Sequence, residues 1–251
     1  MNILYKAMDI PKSCEVGNTI FKKLFYENSS MNTRDKEIFK DCIDKIIWRY
    51  SFKEDTINIQ TYKDDIREYD EIAIIEVILE KDSKCKRIAE IIQGTIPYPI
   101  ILVFSYKDSF LINVGHKRTN KVDESKNTVE ELIFTDWIKT NKLQYRDKVF
   151  TKSIDISKLS YANFYKFYSD FINAINLYNA SIYQNDLKAL ENKDADEVKE
   201  ITDSIEGIKK KIDKLKSKIK KERQISKTID LNIKIKKLEK QRDKLISKLN
   251  K

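Results

Sequence analysis

Residues 72–79 read Ile-Ala-Ile-Ile-Glu-Val-Ile-Leu, an apolar run interrupted only by Glu76. Such a β-branched run suits a strand buried on both faces, or the buried end of one. Downstream, Ser83 starts a short helix with Ile88, Ala89, Ile91 and Ile92, stopped by Gly94. Pro97 and Pro99 flank Tyr98 and lead into Ile100–Phe104, and the turn Lys107-Asp108-Ser109 joins that run to Phe110–Val114. Two apolar runs joined by a short polar turn predict an antiparallel hairpin. Beyond the polar loop Thr119–Asn127, Leu132–Ile138 reads as a fourth strand.

Upstream, residues 1–32 read as irregular apart from a short basic element over Ile20–Tyr26. Asn32 or Thr33 caps a helix predicted to run to Tyr50, because Ile38, Phe39, Cys42, Ile43, Ile46, Ile47 and Tyr50 recur at three and four residues. A further helix starts near Ser160 and carries Tyr161, Phe164, Phe167, Tyr168, Phe171, Ile172, Ile175 and Tyr178. The expected class is α+β: a small, mainly antiparallel sheet with helices covering one face, formed by residues 1–182.

The rest, 183–251, reads differently. Ile201, Ile205, Ile208, Ile212, Leu215 and Ile219 are spaced four, three, four, three, four, a heptad seam among charged residues. Leu231, Ile235, Leu238, Leu245 and Leu249 form a second seam with Arg242 in one position, and the phase breaks over Gln224–Thr228. A Lys-rich antiparallel helical hairpin satisfies both stripes within one chain, with Thr228 and Asp230 near the start of its second helix. A single long helix with a stutter, needing a partner, is the alternative.

Charge follows the same division. The 251 residues carry 49 Lys and Arg against 40 Asp and Glu, a net of +9. From Ile208 to Lys251 there are 18 basic and 5 acidic residues, a net of +13, so the other 207 residues carry −4. A basic tail of this kind attracts nucleic acid, a membrane surface or an acidic protein face. No apolar run is long enough to span a membrane. The opening stretch MNILYKAMDIPKSCEV lacks the apolar core of a secretory signal, so a cytoplasmic protein is expected. Cys14, Cys42 and Cys85, odd in number and far apart, suit reduced thiols.

Motifs for chemistry are sparse. Four glycines build neither a P-loop nor a dinucleotide fingerprint, and one histidine, His116, excludes mechanisms needing two. A carboxylate site for Mg²⁺ or Mn²⁺ is one alternative: Asp70, Glu71, Glu76, Glu80 and Lys81 cluster about the central strand, with Asp108 and Asp136 near later ones. Asp70, Glu76, Glu80 and Lys81 are the candidates for such a nuclease, although Glu80-Lys81 lacks the intervening residue of the usual acid-x-Lys pattern. Basic residues interleave with aromatics at Lys22-Lys23-Leu24-Phe25-Tyr26, and a basic cluster stands at His116-Lys117-Arg118.

The stretches Ile10–Ile20, Lys22-Lys23 with Phe25-Tyr26-Glu27, Ile46–Tyr50, Ile75–Leu79, Ile96-Pro97-Tyr98-Pro99-Ile100, Phe134–Trp137, Tyr165 with Phe171, Glu222-Arg223-Gln224 and Leu231-Asn232 together resemble the bacterial and archaeal family of domain of unknown function 4391. The resemblance implies companions of helicases and DNA methyltransferases in restriction-type or other anti-phage gene clusters, and it transfers no catalytic residue. The resulting expectation is a non-enzymatic accessory subunit without a cofactor, docked on a helicase or methyltransferase-type partner. Its nucleic-acid contacts are expected first from Lys209, Lys210, Lys216, Lys220, Arg223, Lys237 and Lys244, then from Lys22, Lys23, Lys117 and Arg118. A purely structural module that oligomerises through its C-terminal helices is the remaining alternative.

Overall fold

The computed structural model describes residues 2–119, 127–184, 190 and 193–250. The chain divides into two compact units, Met1–Ile175 and Asn176–Lys251.

In chain order the first unit contains helix α1 (Asn2–Met8), strand β1 (Glu15–Thr19), helices α2 (Lys22–Asn28) and α3 (Thr33–Cys42), and strand β2 (Ile43–Phe52). A short helix α4 (Glu54–Ile57), the small ribbon β3 (Tyr62–Lys63) and β4 (Glu68–Tyr69), and strand β5 (Ile72–Leu79) follow. Helix α5 (Cys85–Thr95) leads to β6 (Ile100–Tyr106) and β7 (Ser109–Val114). Then come the ribbon β8 (Lys117–Thr119) and β9 (Asn127–Val129), the short strands β10 (Ile133–Phe134) and β11 (Ile138–Lys139), helix α6 (Tyr145–Ser153) and helix α7 (Phe164–Ala180), which crosses the unit boundary.

The main sheet has the order β1-β2-β5-β6-β7, with β10 and β11 both pairing β7. Every pair in it is antiparallel except β5 with β6. A parallel pair needs a crossover, and α5 supplies it. Alternation along the strands sends Ala73, Ile75, Val77 and Leu79 of β5, and Ile100, Leu102 and Phe104 of β6, into a core with Phe25, Phe39, Ile88 and Ile92 of α2, α3 and α5. Ile72, Ile74, Ile101 and Val103, which point the other way, are equally buried. Both faces are therefore covered, where one covered face was expected. A buried strand in the middle of the sheet is what the run at 72–79 predicts.

Several expected elements change, among them the Ser83–Gly94 helix, which runs Cys85–Thr95 with Gly94 inside it. The helix predicted to reach Tyr50 ends at Cys42, and the chain turns directly into β2. The β-branched and aromatic residues from Ile43 to Phe52 pack better on a pleated surface, and their apolar spacing satisfies both periods. Residues 1–32 are not irregular: they hold α1, β1 and α2, with Gly17 at φ +72° in the register shift of β1 against β2, a bulge that suits glycine. The single strand over Leu132–Ile138 is two two-residue strands separated at Thr135–Trp137. The hairpin β6–β7 pairs as expected, Leu102 with Asn113 through Tyr106 with Ser109. The polar loop after Thr119 lies, over 120–126, outside the described residues.

The second unit is built on two helices of 25 residues each, α8 (Ala195–Ile219) and α9 (Ile225–Leu249). Asp194 caps α8 by accepting from the backbone N–H groups of Asp196 and Glu197. Val198 and Ile205 near the start of α8 pack with Leu245, Ile246 and Leu249 at the end of α9, so the two helices run antiparallel. Lys193 Nζ donates to the carbonyls of Lys248 and Leu249 at 3.0 and 2.6 Å, satisfying the C-terminus of α9. The hairpin is thus present, but α9 starts at Ile225, ahead of Thr228 and Asp230. Thr228 Oγ1 instead donates to the Gln224 carbonyl from within the first turn.

Candidate nucleic-acid interface

The seam of α8, from Ile201 to Ile219, is buried or half-buried against α9, so its opposite side is presented outward. Lys210, Lys214 and Lys218 follow one another there at four-residue steps, with Lys221 just beyond the helix end, and all four are exposed. Each step advances about 6 Å along the axis, giving a ladder of ammonium groups on one face.

The charge is concentrated at the turn end. Residues 207–237 hold thirteen Lys and Arg against three Asp and Glu. The opposite end, 194–206 with 238–250, holds five basic and eight acidic residues. Of the lysines and arginine expected to meet phosphate, Lys216, Lys220, Arg223, Lys237 and Lys244 are exposed, the accessibility such contact requires. Lys209 differs: its Nζ contacts the Tyr183 hydroxyl at 2.7 Å and Glu206 at 3.4 Å, and lies 4.5 Å from the Tyr183 ring centre. Tyr183 also donates to Glu206, so Lys209 is held in a local network. The ladder positions Lys214, Lys218 and Lys221 were not singled out in sequence. Their four- and three-residue spacing away from the seam is the signal that marks them.

The second basic group does not assemble. Lys22 Nζ donates to the Ile43 carbonyl, and Lys23 pairs with Glu27 at 3.4 Å on the surface. Lys117 is 2% exposed, its Nζ donating to the Ile96 carbonyl at 2.6 Å, and burial pushes the amine well below its usual value. The residue therefore cannot meet a phosphate, and Arg118 is left exposed without it.

The carboxylate set is also dispersed. Glu76 is 1% exposed and takes Arg49 Nε on one oxygen at 2.6 Å and the Ser105 hydroxyl on the other at 2.7 Å. Tyr5 Oη donates to it at 3.3 Å, and burial together with the nearby Glu76 carboxylate holds the Tyr5 phenol well above its usual range. Asp70 precedes β5 and Glu80 and Lys81 follow it, all three exposed, with the eight residues of the strand between them. A strand of that length spans about 26 Å, so one metal cannot touch both ends. Among the described residues no group of three or more His, Cys, Asp and Glu is placed to hold a metal ion.

Asp70 instead borders an open groove of about 760 Å³, lined by Lys53, Glu54, Asp55, Glu68, Glu71, Pro97 and Tyr98 besides. Lys53 pairs with Glu71 at 3.4 Å across part of it. His116 belongs to a separate aromatic group. Its Nδ1 lies 2.6 Å from the Tyr69 hydroxyl, and the rings of Tyr165 and Tyr168 sit 5.1 and 5.6 Å away. Burial pushes the imidazole down to about 4, which keeps it neutral at physiological pH.

No helix among the described residues is long and apolar enough to cross a membrane. None of the curated proteins and none of the solved structures matches the chain. The model of the family described as "Domain of unknown function (DUF4391)" matches residues 8–241, from the end of α1 to within the last helix. With nearly its whole length matched, the chain belongs to the DUF4391 family.

Proposed function

We propose that this chain is a non-enzymatic accessory protein that contacts nucleic-acid phosphates through the turn end of its C-terminal hairpin. The lysine ladder on the outward face of α8 is the observation that carries the reading. Phosphate contacts of this type bind without reading sequence, and they need neither a groove-reading helix nor a catalytic group. The dispersal of Asp70, Glu76, Glu80 and Lys81 favours this over a carboxylate nuclease. The remaining part of the role, docking on a helicase or methyltransferase-type partner in a DNA-targeting defence system, rests on the family resemblance.

The test is fluorescence anisotropy with labelled single- and double-stranded DNA across a salt series. The full chain is compared with the K210Q/K214Q/K218Q/K221Q variant. Each phosphate contact contributes about 0.9 to the logarithmic salt slope on duplex, so removing up to four lowers the slope by about 3 to 4. Absence of binding by the parent chain at low salt overturns the reading. Cleavage of the DNA in parallel samples with Mg²⁺ or Mn²⁺ overturns its non-enzymatic part.

A further inference from the structure

The outward face of α9 has a different chemistry from that of α8. Ile225, Ile229 and Ile233 lie at four-residue steps and are 79%, 53% and 49% exposed. They sit on the side of the helix opposite the seam, which Leu231, Ile235 and Leu238 already fill against α8. The stripe is therefore not needed to hold the hairpin together. Lys236 and Lys240 continue the same line toward the C-terminus, and both are exposed.

We infer that the outward face of α9 is a docking surface for an acidic amphipathic helix of a partner protein. Three branched aliphatic side chains in a row suit a helix that lays its own apolar stripe along them. The stripe runs over nine residues, about 12 Å of axis, which two to three turns of a partner helix span. The net charge of the surrounding turn end demands a partner rich in Asp and Glu. A second copy of the same turn end brings the same excess of lysine and is repelled. A phosphate backbone has no use for the isoleucines, and an anionic bilayer needs a longer apolar face for stable attachment. The inference goes beyond the nucleic-acid reading, because it assigns the isoleucines of α9 to protein and leaves the lysines of α8 to phosphate.

The probe is a labelled synthetic helical peptide of 18 residues with leucines at three- and four-residue steps and glutamates between them. One control replaces the glutamates by lysine and another replaces the leucines by serine. The full chain is compared with I225S/I229S/I233S, whose circular dichroism checks that the hairpin remains helical. The expected result is micromolar binding of the leucine–glutamate peptide, weakened at least tenfold by the triple substitution and by either change of peptide. The triple variant retains the DNA affinity of the parent, whether that affinity is strong or absent, so the two readings fail separately. Equal binding by parent and triple variant overturns the inference, as does no binding by the parent. Sedimentation showing a parent dimer that the triple substitution converts to monomer assigns the face to a second copy and overturns it. Capture of the parent by phosphatidylglycerol vesicles, lost in the triple variant while the peptide does not bind, assigns it to membrane and overturns it.

Discussion

Glu76 carries a full charge into the middle of an aliphatic strand, and its neighbours decide what that costs. Arg49 and Ser105 saturate its two oxygens, but Arg49 is still about one-third exposed while Glu76 is not. The two ends of the pair are therefore unequal. Arg49→Ala strands a buried carboxylate and is expected to cost about 3 kcal/mol or more, near the range for broken buried pairs. Glu76→Gln leaves an exposable guanidinium and a hydrogen-bonding amide, and is expected to cost less. Urea unfolding of the two variants checks the order. His116 gives a pH prediction. Its folded value of about 4 lies below the ordinary 6.5, so between those values the unfolded chain binds a proton that the folded chain refuses. The stability advantage of the parent over His116→Asn therefore falls as pH drops from 7 to 4, with burial the main cause, Glu130 opposing it and Arg67 reinforcing it. Thermal melts across that range read it directly. Cys14 and Cys42 are buried away from reagents, and burial pushes the Cys14 thiol up and the Cys85 thiol up to about 11. A thiol reagent is expected to label them slowly in buffer and all three promptly in denaturant. Sequence identified Glu76 as the odd residue of its strand but offered it only a metal role, in the alternative nuclease reading, because Arg49, Ser105 and Tyr5 come from three distant segments. It placed Lys117 in solvent for the same reason: nothing local marks the Ile96 carbonyl as the partner of its ammonium group.

Among elements, those whose apolar period is unambiguous were legible, and those with two compatible periods were not. The strand at 72–79, the β6–β7 hairpin and the two heptad seams all carry one clear pattern. The segment from Thr33 to Phe52 carries two, and the capping box of Asn32 with Asp35 only starts the helix without saying where it stops. Asp35 is also gripped by Arg87 through both oxygens at 2.8 Å, which holds its carboxyl below the usual range. Asn32→Ala is expected to cost about 1 kcal/mol through the lost cap, measured by chemical unfolding. In the hairpin Ile205 is fully buried in the small cluster that joins α8 to the end of α9. Ile205→Ala should destabilise that unit by about 2 to 5 kcal/mol, whereas Ile229→Ala on the outward face should be nearly silent. Gly115, between β7 and β8, is fixed by a long-range contact. A Cβ on Gly115 would stand 2.3 Å from the Glu131 carbonyl oxygen, a close approach between segments that no local pattern announces.

For the molecule as a whole, the +13 of the last 44 residues was visible in the sequence, but its orientation was not. Once α8 and α9 fold back on each other, basic segments separated in sequence gather at the turn, and the acidic first half of α8 gathers with the end of α9. The two basic helices were legible from their seams and charge, while which lysines stand outward depended on which face each helix turns inward. One consequence concerns motion before contact. Excess positive charge at one end of the hairpin and excess negative charge at the other make it an electric dipole. The field of a polyanion would exert a torque on such a dipole during approach, so the proposed nucleic-acid contact is expected to begin turn-first. Exchanging Glu200 and Lys237 leaves the net charge unchanged but weakens the dipole. Stopped-flow mixing with DNA at low salt should then show slower association with a smaller change in dissociation.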